Sequence, residues 1–130
     1  MIRPALVGLV VGALALGSSV ASAQGSLRVD PNLASRGKVV YEKNGCYVCH
    51  GIGRQLAAPD LAGVTERREL GWLRRWLKET NAMLESDPQA MAMLEQNRYI
   101  KMPQFKLKDS DVDAILHYLA QETQKVRSAS

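Results

Sequence analysis

The sequence predicts an all-α protein with one small domain over residues 24–130. Apolar residues recur there at the three- and four-residue spacing of amphipathic helices, and no segment shows the strict alternation typical of a strand. A chain of 130 residues suffices for a single domain. The 17 basic and 13 acidic residues give a formal net charge of only +4. A domain of this length encloses a modest core, built mainly from leucine, isoleucine, methionine and two tryptophans.

The chain begins with a pattern typical of a secretory signal peptide. Residues 1–23 contain a basic start at Arg3, a short apolar run and the small-residue cleavage pattern Ala21-Ser22-Ala23. The apolar run is diluted by glycine and serine, and it is shorter than the about 20 residues that cross a bilayer. We therefore expect cleavage after Ala23 and export to the periplasm, with an uncleaved membrane anchor as the alternative.

The first predicted helix runs directly into a motif of cysteine and histidine. Residues 32–44 carry an apolar stripe at helical spacing. This stripe comprises Leu33, Gly37, Val40 and Tyr41. The following Cys46-Tyr47-Val48-Cys49-His50 has the pattern of a c-type haem attachment site. Each thiol adds across one haem vinyl group to form a thioether, and the adjacent imidazole can bind the iron.

Three other functions of the two cysteines agree less well with the sequence. A zinc site needs further ligands, but the chain has no other cysteine and only His117 besides His50. A redox dithiol would sit in a βαβ context that the sequence lacks, and it needs no histidine after its second cysteine. A simple disulfide is the third alternative. The motif therefore predicts one haem c attached through Cys46 and Cys49, which agrees with export because bacterial haem is ligated to thiols outside the cytoplasm.

Three more helices are predicted after this motif. Thr65 is expected to cap the second helix. Its apolar face comprises Leu70, Leu73, Trp76 and Leu77. Asp87-Pro88 is typical of an N-cap followed by proline at the first helical position, and it opens a short third helix. Ser110 with Asp113 resembles an acidic capping box, so we expect the last helix to begin there and to end near Gln121.

These motifs make the chain similar to the class I cytochromes c, which are small electron carriers with a single haem. The shared motifs, in order, are Gly37-x-x-x-Tyr41, Cys46–His50, Ala58-Pro59-Asp60-Leu61 and Met102-Pro103. The resemblance covers nearly all of residues 24–130. It implies a cytochrome c-like fold, in which four to five helices enclose one covalently attached haem. It also implies that an aromatic side chain of the last helix, here Tyr118, presses against Gly37.

The resemblance further implies roles for residues around the haem. The Pro59 carbonyl is expected to accept a hydrogen bond from His50, which fixes the tautomer of the imidazole and makes it a better iron donor. In this family a tryptophan often donates its indole N–H to a haem propionate, and here Trp72 or Trp76 is the candidate. Arg54 lies where it could neutralise a propionate, and a solvated loop arginine is an equally good interpretation.

Met102 is the predicted sixth ligand of the iron. It matches the distal methionine of the family, and the proline after it favours an extended backbone on which the sulfur can lie over the iron. Met83, in a predicted connection, is the second candidate. Met91 and Met93 lie in a predicted helix, where methionine is more often a flexible core residue. His117 falls in the last helix and is expected at the surface.

This ligand set predicts an electron carrier and not an enzyme. With His50 and Met102 both bound, the iron has no open site, and a methionine ligand favours iron(II). We expect redox partners such as a membrane oxidoreductase, terminal oxidase or reductase of a respiratory chain, and neither nucleic acid nor a small-molecule substrate. Membrane association is expected only through a partner or an uncleaved signal.

Basic residues that flank the haem motifs would steer the protein to acidic patches on such partners. They are Lys38, Lys43, Arg54, Lys101, Lys106 and Lys108. Two alternative functions remain. One is a haem c subunit bound permanently to an oxidase or a denitrification reductase. The other is a ligand-binding sensor in which the bond from Met102 is weak or absent.

Overall fold

A computed structural model describes residues 26–130, and every regular element within that range is helical. The elements are α1 (Pro31–Lys43), a 3₁₀ turn (Cys46–Val48), α2 (Val64–Arg67), α3 (Leu70–Lys78), α4 (Thr80–Ser86), α5 (Pro88–Gln96) and α6 (Asp109–Ser128). The predicted all-α class is confirmed. None of these helices is both long and apolar enough to cross a membrane. The predicted signal segment, residues 1–23, lies outside the described residues.

The six α-helices exceed the predicted four to five because two regions are divided differently. Thr65 does not cap the second helix but lies inside α2, where its side chain is buried. Arg68 then adopts an extended backbone and separates α2 from α3. The predicted connection before Asp87 is also helical, as α4. α4 follows α3 after a single break at Glu79. The Thr80 hydroxyl donates to the carbonyl of Trp76 at 2.7 Å and thereby links the two helices across this break.

Two carboxylates cap the starts of helices, and the sequence predicted the second of them, Asp87. Asp30 Oδ1 accepts hydrogen bonds from the backbone N–H groups of Asn32 and Leu33, at the start of α1. Asp87 caps α5 in the same way, with proline at the first helical position. Such caps satisfy backbone donors that have no partner inside the helix.

The last helix differs from its prediction at both ends. It begins at Asp109, and the carboxylate of Asp111 accepts a hydrogen bond from the N–H of Lys108 at 3.3 Å. It continues to Ser128 instead of ending near Gln121. Tertiary contacts support the extension, because the buried Thr123 hydroxyl accepts the N–H of Gly63 at 2.8 Å.

The crossing of α1 and α6 is the principal contact of the fold. Gly37 is buried there, and a Cβ atom added to it would lie 1.9 Å from the Ala114 carbonyl oxygen and 2.8 Å from Tyr118 Cβ. The rings of Tyr41 and Tyr118 also meet, with centroids 5.2 Å apart. The predicted contact between Gly37 and an aromatic residue of the last helix is confirmed, and only glycine permits this approach.

Three buried clusters form the core. The first two lie along α6, and the third lies between α3, α4 and α5. The first consists of Tyr41, Ile115 and Leu119; the second of Leu73, Val112 and Leu116; and the third of Trp76, Met83 and Ala90. Leu77 and Leu107 pack against both of the first two clusters, which makes these clusters continuous.

Acid is expected to weaken the attachment of α6 to α2. The guanidinium of Arg127 donates to both carboxylate oxygens of Glu66, and these hydrogen bonds lower the pKa of Glu66. The unfolded chain therefore binds a proton more readily than the folded one. The stabilisation is complete above the ordinary glutamate pKa of about 4.3 and is lost as the pH falls through the lower pKa of the folded state.

Urea unfolding measured at about pH 7 and about pH 3 checks this prediction. The fall in the free energy of unfolding should be smaller in Glu66→Gln than in the parent protein. Glu85→Gln is the matched control, because Glu85 is exposed and its side chain forms no hydrogen bond or ion pair with residues 26–130. An equal fall in all three proteins would contradict the prediction.

Candidate functional site

The two cysteines lie on a tight turn directly after α1. Gly45 has a φ of 67°, in the left-handed region that glycine adopts at little cost, and the 3₁₀ turn begins at Cys46. The N–H groups of Cys49 and His50 both donate to the Cys46 carbonyl, at 3.3 and 3.0 Å. Both cysteines are free thiols. Burial raises the pKa of the Cys46 thiol, and the neighbouring Cys49 raises it further.

His50 is oriented by the loop that follows it. Its Nδ1 lies 2.8 Å from the Pro59 carbonyl oxygen. A carbonyl can only accept, so Nδ1 carries the proton, and Nε2 keeps the lone pair that binds a metal. The hydroxyl of Tyr41 donates to the His50 carbonyl at 3.2 Å. Burial raises the pKa of Tyr41, which keeps this donor protonated.

Backbone and carboxylate contacts close the loop that contains Pro59. Asp60 Oδ1 accepts the N–H groups of Gly53 and Ala62, both at 2.8 Å. The N–H of Leu61 donates to the carbonyl of Gly51 at 3.0 Å. The sequence placed Asp60 in a shared motif but did not reveal that it fixes the loop. The proline carbonyl is therefore held in place by its neighbours as well as by the imidazole.

Arg54 lies at the surface of the same loop. Its side chain is exposed and forms no ion pair within residues 26–130. Both sequence interpretations, a propionate contact and a solvated arginine, therefore remain open. His117 is partly buried on α6, and its Nδ1 accepts the N–H of Asp30 at 3.0 Å. That contact joins α6 to the start of α1.

Met102 lies on a segment of irregular backbone between α5 and α6. The segment begins with two left-handed residues, Arg98 and Tyr99, with φ of 55° and 61°. The N–H of Tyr99 donates to the Leu94 carbonyl at 2.8 Å. Met102 is partly buried, and it packs against the third core cluster. The non-helical segment that the sequence predicts around Met102 is confirmed, because residues 100–108 form no helix.

The other methionines have distinct environments. Met83 is fully buried on α4, in the same cluster that Met102 contacts. Met93 on α5 is partly buried against that cluster. Met91 is 51% exposed. The structure thus brings Met102 and Met83, the first and second candidates for the sixth ligand, into one part of the molecule.

The two tryptophans stack on α3. Their ring centroids are 5.5 Å apart and their planes differ by 10°. The indole N–H of Trp72 donates to Asp87 Oδ2 at 3.2 Å, and the Arg68 guanidinium lies 5.3 Å from the Trp72 ring centroid. Asp87 was found in the sequence only as a helix cap. The sequence does not indicate the hydrogen bond from Trp72 to Asp87, because Trp72 lies on α3 and Asp87 lies at the start of α5.

The arrangement fits a covalently held, redox-active prosthetic group. Two free thiols lie on one turn, and an imidazole with an available Nε2 follows them directly. A partly buried thioether lies on the irregular segment between α5 and α6. Thiols suit covalent attachment, and an imidazole with a thioether is one of the ligand pairs that hold haem iron.

Comparisons with known proteins point to one family. The family model described as cytochrome c matches residues 34–123. The solved cytochrome c domain of the pp3183 protein from Pseudomonas putida is 38% identical, covering 71% of this chain and 92% of that chain with a TM-score of 0.63. Cytochrome c from Rhodothermus marinus is 24% identical, covering 75% of this chain and 83% of that chain with a TM-score of 0.70.

An engineered cytochrome c from Rhodothermus marinus, bound to a carbene intermediate, is also similar in structure. It is 24% identical and covers 75% of this chain and 82% of that chain, with a TM-score of 0.64. No curated protein matches the chain.

Proposed function

Because the chain belongs to the cytochrome c family, whose members carry covalently attached haem c, we propose that it is a periplasmic electron carrier of a respiratory chain. When bound, haem c supplies an iron that changes reversibly between its ferric and ferrous states. Proteins of this family generally transfer electrons. The finer assignment depends on which residues of this chain hold the haem and what they leave accessible.

We propose that Cys46 and Cys49 form the two thioethers and that His50 is the proximal ligand. The observation that carries the proposal is the 2.8 Å contact between His50 Nδ1 and the Pro59 carbonyl. It leaves Nε2 unprotonated and fixes the orientation of the ring, whose residue follows the second cysteine directly in the sequence. A hydrogen bond of this kind also raises the basicity of a metal-bound imidazole.

Met102 is the proposed distal ligand. It is partly buried and sits on a segment of irregular backbone that can hold a sulfur atom over the iron. Met83 is completely buried within a helix, so its sulfur would have to leave the core to reach a metal. A thioether is a soft ligand that stabilises iron(II) and thereby raises the reduction potential. With both axial positions filled, a small molecule has no site on the iron.

The surface near these residues suits a protein partner. Tyr47 and Val48, between the two cysteines, are 57% and 67% exposed, and Tyr99 and Ile100, close to Met102, are 69% and 63% exposed. Each pair places two large exposed apolar side chains next to each other, and contiguous exposed apolar surface is a feature of interaction sites. We propose that the partners are a membrane oxidoreductase, a terminal oxidase or a reductase.

Basic residues without an ion pair among residues 26–130 lie close to the same segments in the sequence. They are Lys43, Lys101, Lys106 and Lys108, all exposed and without an ion pair among residues 26–130. Such charges attract an acidic surface over several ångströms and raise the rate of encounter at low salt. They therefore support acidic patches as the complementary feature of the partners.

Membership of the cytochrome c family supports the proposed periplasmic location. Members of the cytochrome c family are typically exported. We propose that residues 1–23 act as a signal peptide cleaved after Ala23, on the sequence pattern described above. Membrane association would then arise only through a partner.

Met102→Ala tests the proposed electron-carrier function. The oxidised protein should lose the far-red charge-transfer band of an iron–thioether bond, and the reduced protein should bind carbon monoxide. The reduction potential should fall by on the order of 0.2 V, a fraction of the about 0.8 V over which axial ligands set haem potentials. Absorption spectroscopy and spectroelectrochemical titration measure these three quantities.

Two variants serve as controls. Met91→Ala removes a methionine that is 51% exposed and should change nothing. Met83→Leu removes a buried sulfur atom and replaces the side chain by one of nearly the same volume. This variant should retain the charge-transfer band. Loss of the band in Met83→Leu, with its retention in Met102→Ala, would refute the assignment of Met102. A parent protein that already binds carbon monoxide would favour the sensor function instead.

A further inference from the structure

The carboxylate of Asp87 connects three helices near the third core cluster, against which Met102 packs. Asp87 lies between α4 and α5, and its Oδ1 accepts the N–H groups of Gln89 and Ala90 at 2.9 and 3.0 Å. Its Oδ2 accepts the indole N–H of Trp72 at 3.2 Å. The cap of α5 uses only Oδ1. The second oxygen therefore ties the corner between α4 and α5 to α3.

The two helices at this corner depend on tertiary contacts. They have 7 and 9 residues, and helices this short are marginally stable alone. Met83 on α4 and Ala90 on α5 are fully buried in a cluster with Trp76, which stacks on Trp72. The apolar contacts hold the helices near α3, and the hydrogen bond from Trp72 to Asp87 fixes where the corner lies.

The same helices hold the segment that carries Met102. The Met102 side chain packs against the cluster that contains Met83 and Ala90. The N–H of Asn81, at the start of α4, donates to the side chain of Gln104 at 3.0 Å. Residues 100–108 form no helix or strand. The position of the Met102 sulfur is therefore set by where α4 and α5 lie.

We propose that Asp87 and Trp72 are positioning residues for Met102. Their hydrogen bond fixes the corner between α4 and α5, against which Met102 packs, and it would thereby hold the sulfur where it can bind the iron. This inference rests on the proposed ligation by Met102. The indole N–H of Trp72 then has Asp87 as its partner within the protein, whereas the family resemblance implies a contact with a haem propionate.

Two substitutions remove this hydrogen bond from opposite sides. Asp87→Asn keeps a good helix cap through its carbonyl oxygen, and it places an amide NH₂ where the acceptor for Trp72 was. Trp72→Phe keeps an aromatic ring for stacking on Trp76 and removes the donor. Glu85→Gln is the matched control, because it removes a nearby exposed carboxylate whose side chain forms no hydrogen bond within residues 26–130.

Titration of the ferric haem-loaded protein with imidazole measures the strength of the sulfur–iron bond, since imidazole must displace the sulfur. We expect Asp87→Asn and Trp72→Phe each to bind imidazole about tenfold more tightly than the parent, as one lost hydrogen bond to a charged acceptor predicts. The double variant should bind it no more tightly than either single variant, because both remove the same bond. Circular dichroism should show the helices retained.

The outcomes separate this inference from the proposed ligation. If both single variants match Glu85→Gln in imidazole affinity, the positioning role is refuted, whereas loss of the charge-transfer band in Met102→Ala still supports the ligation. A change in Trp72→Phe alone would instead indicate a propionate contact and would also refute the positioning role. If Met102→Ala keeps the band, the ligation itself fails.

Discussion

Gly37→Ala is expected to destabilise the protein by at least about 3 kcal/mol, the upper part of the range for overpacking a core. The added methyl group would lie 1.9 Å from the Ala114 carbonyl oxygen, which belongs to the backbone of α6 and cannot rotate away. The two helices would have to separate along their whole crossing. Urea unfolding followed by far-UV circular dichroism measures this loss.

Gly71→Ala is the matched control for that substitution. Gly71 also lies in a helix, α3, but an added Cβ would meet no atom within 4 Å. Alanine favours helix over glycine by about 0.5–1 kcal/mol, so this variant should be slightly more stable than the parent. A Gly37→Ala variant as stable as Gly71→Ala would mean that the two helices do not cross at Gly37.

Removal of both cysteines is expected to abolish covalent haem attachment. The single variants Cys46→Ala and Cys49→Ala should each retain one thioether and one unreacted vinyl group, with a lower yield of haem-loaded protein. The pyridine haemochrome spectrum distinguishes haem with zero, one or two saturated vinyl groups, and mass spectrometry reports whether the haem stays bound after denaturation. In the double variant Cys46→Ala/Cys49→Ala, no haem should remain bound to the protein after denaturation.

Val48→Ala controls for disturbance of the turn itself. Val48 is 67% exposed between the two cysteines, so its truncation should leave both thioethers intact. Haem with two saturated vinyl groups in either single cysteine variant would be incompatible with attachment at Cys46 and Cys49.

Local signals in the sequence predicted the features that depend on near neighbours. The Asp87-Pro88 cap is local chemistry, and the structure has it as predicted. The contact between Gly37 and Tyr118 spans the chain, but the family resemblance implied it, and the structure confirms it. The family resemblance also implied that Pro59 orients His50, and the structure has His50 Nδ1 2.8 Å from the Pro59 carbonyl oxygen.

The features that sequence reasoning missed depend on partners from other elements. The pairing of Trp72 with Asp87 joins two helices whose relative position no local pattern specifies. The extension of α6 beyond Gln121 is supported by contacts from Thr123 to Gly63 and from Arg127 to Glu66 on α2. The helical nature of the stretch around Met83 also escaped prediction, because seven residues give too short a pattern for periodicity to be recognised.

The crossing of α1 and α6 constrains the order in which the molecule can mature. α1 has 13 residues and is marginal as an isolated helix, so it is stabilised only when α6, which is synthesised after the other described helices, packs on it. The turn that carries the two thiols follows α1 directly. Until synthesis reaches α6, these thiols therefore belong to an unfolded segment that is open to modifying enzymes. Haem attachment can thus precede folding, and the mature fold then closes around an already tethered group.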